Sequence, residues 1–278
     1  MLARTTRHVP ALDPALVAGY DAVLCDLDGC LVSDGRLLDG AAGFAAAAAD
    51  RLWLVSNNSS DTADSLSARL AGMGLVIAPG RILLAGEQAV RVLAAERPGA
   101  RLSLHAEEPI RLLADGLGLD LSPDRPDVVL LARDSRFAIA GLTSLLRAVR
   151  AGADLWVTNL DRTHPGADGE PVPETGALLA AVRACWPEVR YRAFGKPERA
   201  LVDLALARAG VPADRSVFVG DNAETDGAAA AAAGIDFLHV AAPTLAPGTA
   251  AGRSTSPAAG RPESGGDPVP FRTHVGAL

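Results

Sequence analysis

The sequence predicts a doubly wound α/β protein, a Rossmann-like parallel sheet with helices on both faces, in a chain long enough for one large domain or for a core with a second unit inserted. Two observations predict this. Short apolar runs at 22–27, 52–55 and 216–219 break off into polar clusters, namely Asp26-Leu27-Asp28-Gly29, Ser56-Asn57-Asn58-Ser59-Ser60 and Gly220-Asp221-Asn222-Ala223-Glu224-Thr225-Asp226. Apolar runs bounded by turn residues suit strands covered on both faces. Helix-length stretches lie between them, so the order reads strand, helix, strand, helix.

The elements follow in order. Residues 1–20 form a leader with a short helix at 14–19. The strand at 22–27 ends in acid, and a loop with Ser33, Asp34, Gly35 and Arg36 leads to a small-residue helix at 40–50. The strand at 52–55 runs straight into its serine and asparagine cluster. The helix at 61–73 is capped by Ser60 or Asp61 and closed by Gly74. A new stretch runs from 82 to 97 after Pro79-Gly80. Strands at 101–105, 128–132 and 155–158 then alternate with helices at 110–116 and 137–152. A long loop with Asn159, Asp161, Arg162, His164, Asp168 and Glu174, rich in Gly and Pro, leads to a helix at 176–186. A loop of this length inside a compact domain is functional or disordered. Residues 191–194 precede Gly195-Lys196-Pro197, then come a helix at 198–210, the strand at 216–219, an alanine helix at 227–234 and a strand at 237–240. From 241 to 270 the chain has few large apolar residues and reads as flexible, with 271–278 free to return to the core. The expected divisions are a first core part at 1–83, the inserted unit at 84–186, a second core part at 187–242 and a tail at 243–278.

Composition narrows the partners. Of 278 residues, 49% are hydrophobic and 21% charged, as in a folded globular chain, and the net charge of −7 argues against nucleic acid or an anionic membrane as the main partner. The alanine tracts at 45–49 and 228–233 fall far short of a bilayer span, and the start of the chain lacks the apolar core of a signal peptide. Cys25, Cys30 and Cys185 show no C-x-x-C spacing and are an odd number in a long chain, so a reduced cytoplasm is expected. The five histidines show no metal-ligand spacing either, and His239 and His274 read as structural or superficial.

In open α/β sheets the ligand crevice lies outside the carboxyl ends of the strands. Asp26 and Asp28 follow the first core strand, Ser56 and Asn57 the second, Asp221 and Asp226 the third, and Lys196 sits on a short loop before a helix. Two carboxylates about 4 Å apart repel by roughly 4 kcal/mol at an effective dielectric near 20, so a site that keeps both ionised needs a cation. Capping of the turn is the plainer use of Asp26 and Asp28, as helix capping is of Asp226. Taken together, these groups suit a divalent cation and a phosphoryl group. Mg2+ takes carboxylate, water and phosphate oxygens, Ser56 and nearby backbone N–H groups donate to phosphate, and Lys196 offers a point charge. Gly195-Lys196-Pro197 is no P-loop and no G-x-G-x-x-G is present, so nucleotide-driven transfer and nicotinamide chemistry lack their motifs. An aspartate nucleophile that forms an aspartyl-phosphate is compatible with these residue types.

The ordered motifs D-L-D-G-C, S-N-N-S-S, G-K-P and G-D-N-A-E-T-D resemble the four motifs of the haloacid dehalogenase (HAD) superfamily. The long insertion between the second and third resembles the class IIA branch with a C2-type cap, which holds NagD-like sugar-phosphate phosphatases and 4-nitrophenylphosphatases. Val157-Thr158-Asn159-Leu160-Asp161-Arg162-Thr163 looks like the A-T-N-x-D-x-T pattern of such caps, and the similarity spans about residues 20 to 242. The resemblance implies that Asp26 is the nucleophile and that Asp28 is the general acid and then the base. It implies Mg2+ held by Asp26, Asp221 and the Asp28 backbone carbonyl, and phosphate held by Ser56, Asn57 and Lys196. Asp226 would orient Lys196 or a metal-bound water. Cys30 stands where Thr or Val is usual and reads as a small core filler. Asn222 stands where the branch often has Arg, and Glu174 places an acid near the cap's loop.

The expected function is therefore a Mg2+-dependent phosphatase acting on a small phosphate ester, with Asn159, Asp161 and Glu174 of the cap loop choosing the substrate. Few aromatics lie in that loop, which favours a sugar or polyol phosphate over a nucleotide. The loop can also be no more than a solvated connection. A phosphotransferase and a non-catalytic phosphate-binding protein use the same residues, and a homodimer through the cap stays open.

Overall fold

The computed structural model describes residues 5–33, 35–121, 124–165 and 170–241. The expected tail at 243–278, its return to the core, and Asp34 and Asp168 lie outside the described residues.

The first half of the chain gives strands β1 (Thr6–Val9), β2 (Ala22–Cys25), β3 (Val32–Ser33) and β4 (Arg36–Leu37), helix α1 (Ala41–Ala48), strand β5 (Leu52–Ser56), helix α2 (Ala63–Gly72), strand β6 (Ile82–Leu84) and helix α3 (Ala85–Glu96). Next come β7 (Leu102–His105), α4 (Glu108–Gly116), β8 (Val128–Leu131), α5 (Ile139–Arg150), β9 (Asp154–Val157), the ribbon β10 (Thr163–Pro165) and β11 (Pro171–Pro173), α6 (Thr175–Cys185) and β12 (Arg192–Ala193). The described residues close with α7 (Ala200–Ala209), β13 (Ser216–Gly220), a π-helical turn at Ala223–Gly227, α8 (Ala228–Ala233) and β14 (Asp236–Val240).

The larger sheet has the order β1-β14-β13-β2-β5-β6, parallel throughout. Strand alternation fixes its two faces. Val23 and Cys25 join Leu54, Phe44 and Leu66 on one side, while Ala22 and Leu24 join Trp53, Phe218 and Leu201 on the other. Both faces are covered, which explains the unbroken apolar runs. The strands β12-β9-β8-β7 make a second parallel sheet, with Leu102, Val128 and Trp156 on one face and Val129, Leu155 and Leu179 on the other.

Four details depart from the sequence reading. The leader contains β1, an edge strand that pairs with β14 and exposes three of its four residues, so it has no apolar pattern to read. The stretch from 82 opens with a strand that hands over to α3 without a turn residue. The cap of α2 is Thr62, whose side chain accepts from the Ser65 N–H while Ser65 Oγ accepts from the Thr62 N–H. The long loop holds an antiparallel ribbon, with His164 opposite Val172. Among the described residues no helix is long and apolar enough to cross a membrane.

Candidate active site

Each polar cluster is held in place by the sheet that it terminates. The Asp26 N–H donates to the Val219 carbonyl at 2.9 Å, which extends the pairing of β2 with β13 by one step and fixes the Asp26 backbone. The Leu27 carbonyl then accepts from Leu31 and Val32, so the turn after Asp28 is tight. Gly29 lies in that turn at φ 81°, and a Cβ there would fall 2.3 Å from Asp221 Oδ2. Glycine is required twice over, by backbone sign and by the neighbouring carboxylate.

The loop after β13 folds back on itself. Asn222 Oδ1 accepts from the Glu224 and Thr225 N–H groups and so caps the π-helical turn. That turn carries Asp226 back beneath the strand end, fully buried, with Oδ2 accepting from the Asn222 N–H at 3.2 Å. The capping considered for Asp226 thus falls to Asn222. Lys196 is 2% exposed, with Nζ 2.6 Å from Asp26 Oδ1 and 2.7 Å from Asp226 Oδ1. Burial alone would lower its pKa, but Asp226 and Asp26 outweigh burial and hold the ammonium well above the usual lysine range.

Three acids answer one base here. Carboxylate oxygens of Asp26, Asp221 and Asp226 lie within 4.8 Å of one another. Burial, and then the Asp26 charge, push the Asp221 carboxyl up to about 6. Asp226 is raised by the same two causes, opposed by Lys196. Among the described residues Lys196 makes its ion pairs with Asp26 and Asp226. A cluster of oxygen donors with this charge excess fits a hard divalent cation such as Mg2+. The side chain of Asp28 is not among the three; it stands exposed on the crevice wall, and crowding by protein atoms, then the Asp26 charge, push its carboxyl up to about 6.

Asp26, Asp28, Ser56, Asn57, Asp161, Glu174, Lys196 and Asp221 all line one open crevice of about 1000 Å³, room for a phosphate and a small organic group. The details differ from the sequence reading for two asparagines. Asn57 spends its amide on Asp161 Oδ2 at 3.0 Å and the Lys196 carbonyl at 2.9 Å, so its side chain ties the second core strand to the lysine loop. Asn159 does not line the crevice: it is 1% exposed, and its amide donates to the Asn57 carbonyl at 2.8 Å. Ser59, Thr158 and Thr175 complete this buried seam between the two sheets. Burial raises the pKa of Asp161. Glu174 is raised too, with burial outweighing its contacts to His164 Nδ1 at 2.7 Å and Arg133 Nε at 3.5 Å. Arg133 and Arg69 also line the crevice, and sequence reasoning missed both. Arg133 follows an apolar strand without a turn signal, and its partners come from loops distant in the chain.

A parallel sheet with carboxylates at its strand ends and one buried lysine beside them defines an α/β protein whose polar site lies at the carboxyl edge of its sheet. The description haloacid dehalogenase-like hydrolase matches residues 20–234, and the chain belongs to that family. D-glycerol 3-phosphate phosphatase of Mycobacterium tuberculosis is 32% identical over 226 residues, 80% of this chain, and the chain spans 63% of that protein's length. Dihydroxyacetone phosphatase of Corynebacterium glutamicum is 28% identical, covering 78% of this chain and 79% of the relative. Among solved structures, the glycerol phosphate phosphatase of M. tuberculosis in complex with magnesium superposes with a TM-score of 0.74 at 30% identity, covering 81% of this chain and 68% of that one. The 4-nitrophenylphosphatase of Thermotoga maritima gives 0.76 at 25% identity, covering 84% and 90%.

Proposed function

We propose that the chain is a Mg2+-dependent phosphomonoesterase acting through an aspartyl-phosphate on a small sugar or polyol phosphate. The observation that carries the reading is the Asp26–Lys196–Asp226 bridge with Asp221 beside it, an acid cluster short of positive charge at the mouth of a polar crevice. Asp26, Asp221 and the Asp28 carbonyl would hold Mg2+, which when bound neutralises charge on the phosphoryl oxygens.

Asp26 is the nucleophile: its carboxylate attacks phosphorus and the bond to the leaving oxygen breaks. Asp28, with its raised pKa, gives its proton to that oxygen and then takes one from the water that cleaves the acyl phosphate. Lys196, 2.6 Å from Asp26 Oδ1, offsets the phosphoryl charge. Ser56, with backbone N–H groups of its loop, donates to phosphate oxygens. The cap runs from about residue 84 past the expected boundary at 186 to β12, which pairs with β9 and so belongs to the second sheet, and its Asp161 and Glu174 face the leaving group. Relatives named D-glycerol 3-phosphate phosphatase, dihydroxyacetone phosphatase and acid sugar phosphatase support that substrate class.

The test measures phosphate released from glycerol 3-phosphate, dihydroxyacetone phosphate, hexose phosphates and 4-nitrophenyl phosphate, with Mg2+ and with chelator. Release that needs Mg2+ and vanishes in Asp26→Asn with the fold intact is expected. Full activity in chelator, or in Asp26→Asn, overturns the reading.

A further inference from the structure

We infer that His239, itself held by His8, is a positioning residue for Asp221, fixing the peptide from which this carboxylate reaches the metal site; the inference rests on the Mg2+ reading given above. His8 and His239 are register partners on the neighbouring parallel strands β1 and β14, so they stand on one face of the sheet. Their ring centroids are 4.8 Å apart and their Nδ1 atoms 3.0 Å. On its other side, His239 Nε2 lies 2.9 Å from the Asp221 carbonyl oxygen.

The partner fixes the tautomer. A backbone carbonyl can only accept, so Nε2 carries the hydrogen. The Nδ1 of the neutral ring is then an acceptor, and His8 donates to it from its own Nδ1. The ring plane is set by stacking on buried Phe237, with centroids 5.6 Å apart and planes 19° apart. The result is a directed chain of hydrogen bonds from His8 through His239 to the Asp221 carbonyl.

Asp221 needs such a holder. Its carboxylate packs against Gly29 with no room for even a Cβ, so a small rotation of its peptide would move the oxygens away from Asp26. Asn222 secures the loop downstream of Asp221. His239 secures it from the strand on the far side. Neither histidine lines the crevice, so their influence passes through Asp221. Outer partners of metal ligands orient those ligands, and losing one costs about ten- to a hundredfold in metal affinity.

The test titrates Mg2+ into the metal-free full chain by calorimetry, for wild type, His239→Leu, His239→Gln and His8→Ala, beside turnover of 4-nitrophenyl phosphate at varied Mg2+. His239→Leu should bind Mg2+ about ten- to a hundredfold more weakly, with KM for the ester at saturating Mg2+ unchanged. His239→Gln, whose Nε2–H can reach the same carbonyl, should recover most of the loss. Wild-type Mg2+ affinity in His239→Leu, or no recovery in His239→Gln, overturns the inference. Should His239→Leu fail to fold, His8→Ala decides: weaker Mg2+ binding supports the relay and unchanged binding overturns it. A wild-type chain that binds no Mg2+ overturns the phosphatase reading and this inference together, whereas wild-type binding with indifferent variants overturns this one alone.

Discussion

Lys196 has two carboxylate partners and almost no water around it. Removing one partner from a buried ion pair leaves charge uncompensated at a cost of about 3–5 kcal/mol. Lys196→Met should therefore lower the urea midpoint by a corresponding amount as well as abolish turnover, and an unchanged midpoint would show that the carboxylates find another counter-charge. Asp28 gives a pH signature. Its carboxyl, raised to about 6, donates only while protonated, so kcat/KM on an alkyl phosphate should fall as pH rises through about 6. On 4-nitrophenyl phosphate, whose leaving phenolate needs no proton, that limb should flatten; identical limbs on both esters would remove Asp28 from the acid role. Asp26, Ser56, Lys196 and Asp221 were legible because each terminates an apolar run or a short loop, where chain order alone implies a strand end. Asn159 misled because its local motif says nothing of the Asn57 carbonyl that claims its amide. Arg133 and His239 were illegible for a related reason: their partners appear only once strand order is known.

At the scale of elements, two substitutions separate support from function. Thr62→Ala removes the reciprocal cap of α2 and should cost about 1 kcal/mol with activity kept, because α2 touches the crevice through Arg69 alone among its described residues. Gly195→Ala should cost about 1–3 kcal/mol and most of the activity. Its new Cβ would lie 2.5 Å from Asn57 Oδ1 and 2.9 Å from Asn159 Cβ, prying the seam between the sheets beside Lys196. Urea midpoints and phosphate release on both variants check the contrast, and a silent Gly195→Ala would mean the seam has slack. The buried strands β2, β5 and β13 declared themselves by composition, since a strand covered on both faces must be apolar throughout. Strands β1 and β6 did not: the first is an edge with polar outward residues, and the second is three residues long and merges with its helix.

For the molecule as a whole, the metal-free site is a source of instability with a definite sign. Asp28 and Asp221 have an ordinary pKa of 3.8 and are pushed to about 6 when folded, so the folded chain binds more protons between those values. Stability of the chelated protein should fall as pH rises from about 4 to about 6 and stay lower above. Saturating Mg2+ relieves the repulsion that remains, so the rise in Tm on adding Mg2+ should be larger at pH 7.5 than at pH 5; equal shifts at both would mean that these carboxyls are not crowded as described. The sheet order has another consequence, for how the chain comes into being. Asp26 and Lys196 are 170 residues apart, and Cys30 meets the Val219 carbonyl across 189. A ribosome adds roughly 5–20 residues per second, so one edge of β2 waits unpaired for roughly ten to forty seconds while the rest is made. Over that time Asp26 stands alone, since Lys196, Asp221 and Asp226 all come late in the chain. Closure of the acid–lysine cluster is thus tied to near-completion of synthesis, and a chain that ends before residue 196 has Asp26 without its Lys196 partner.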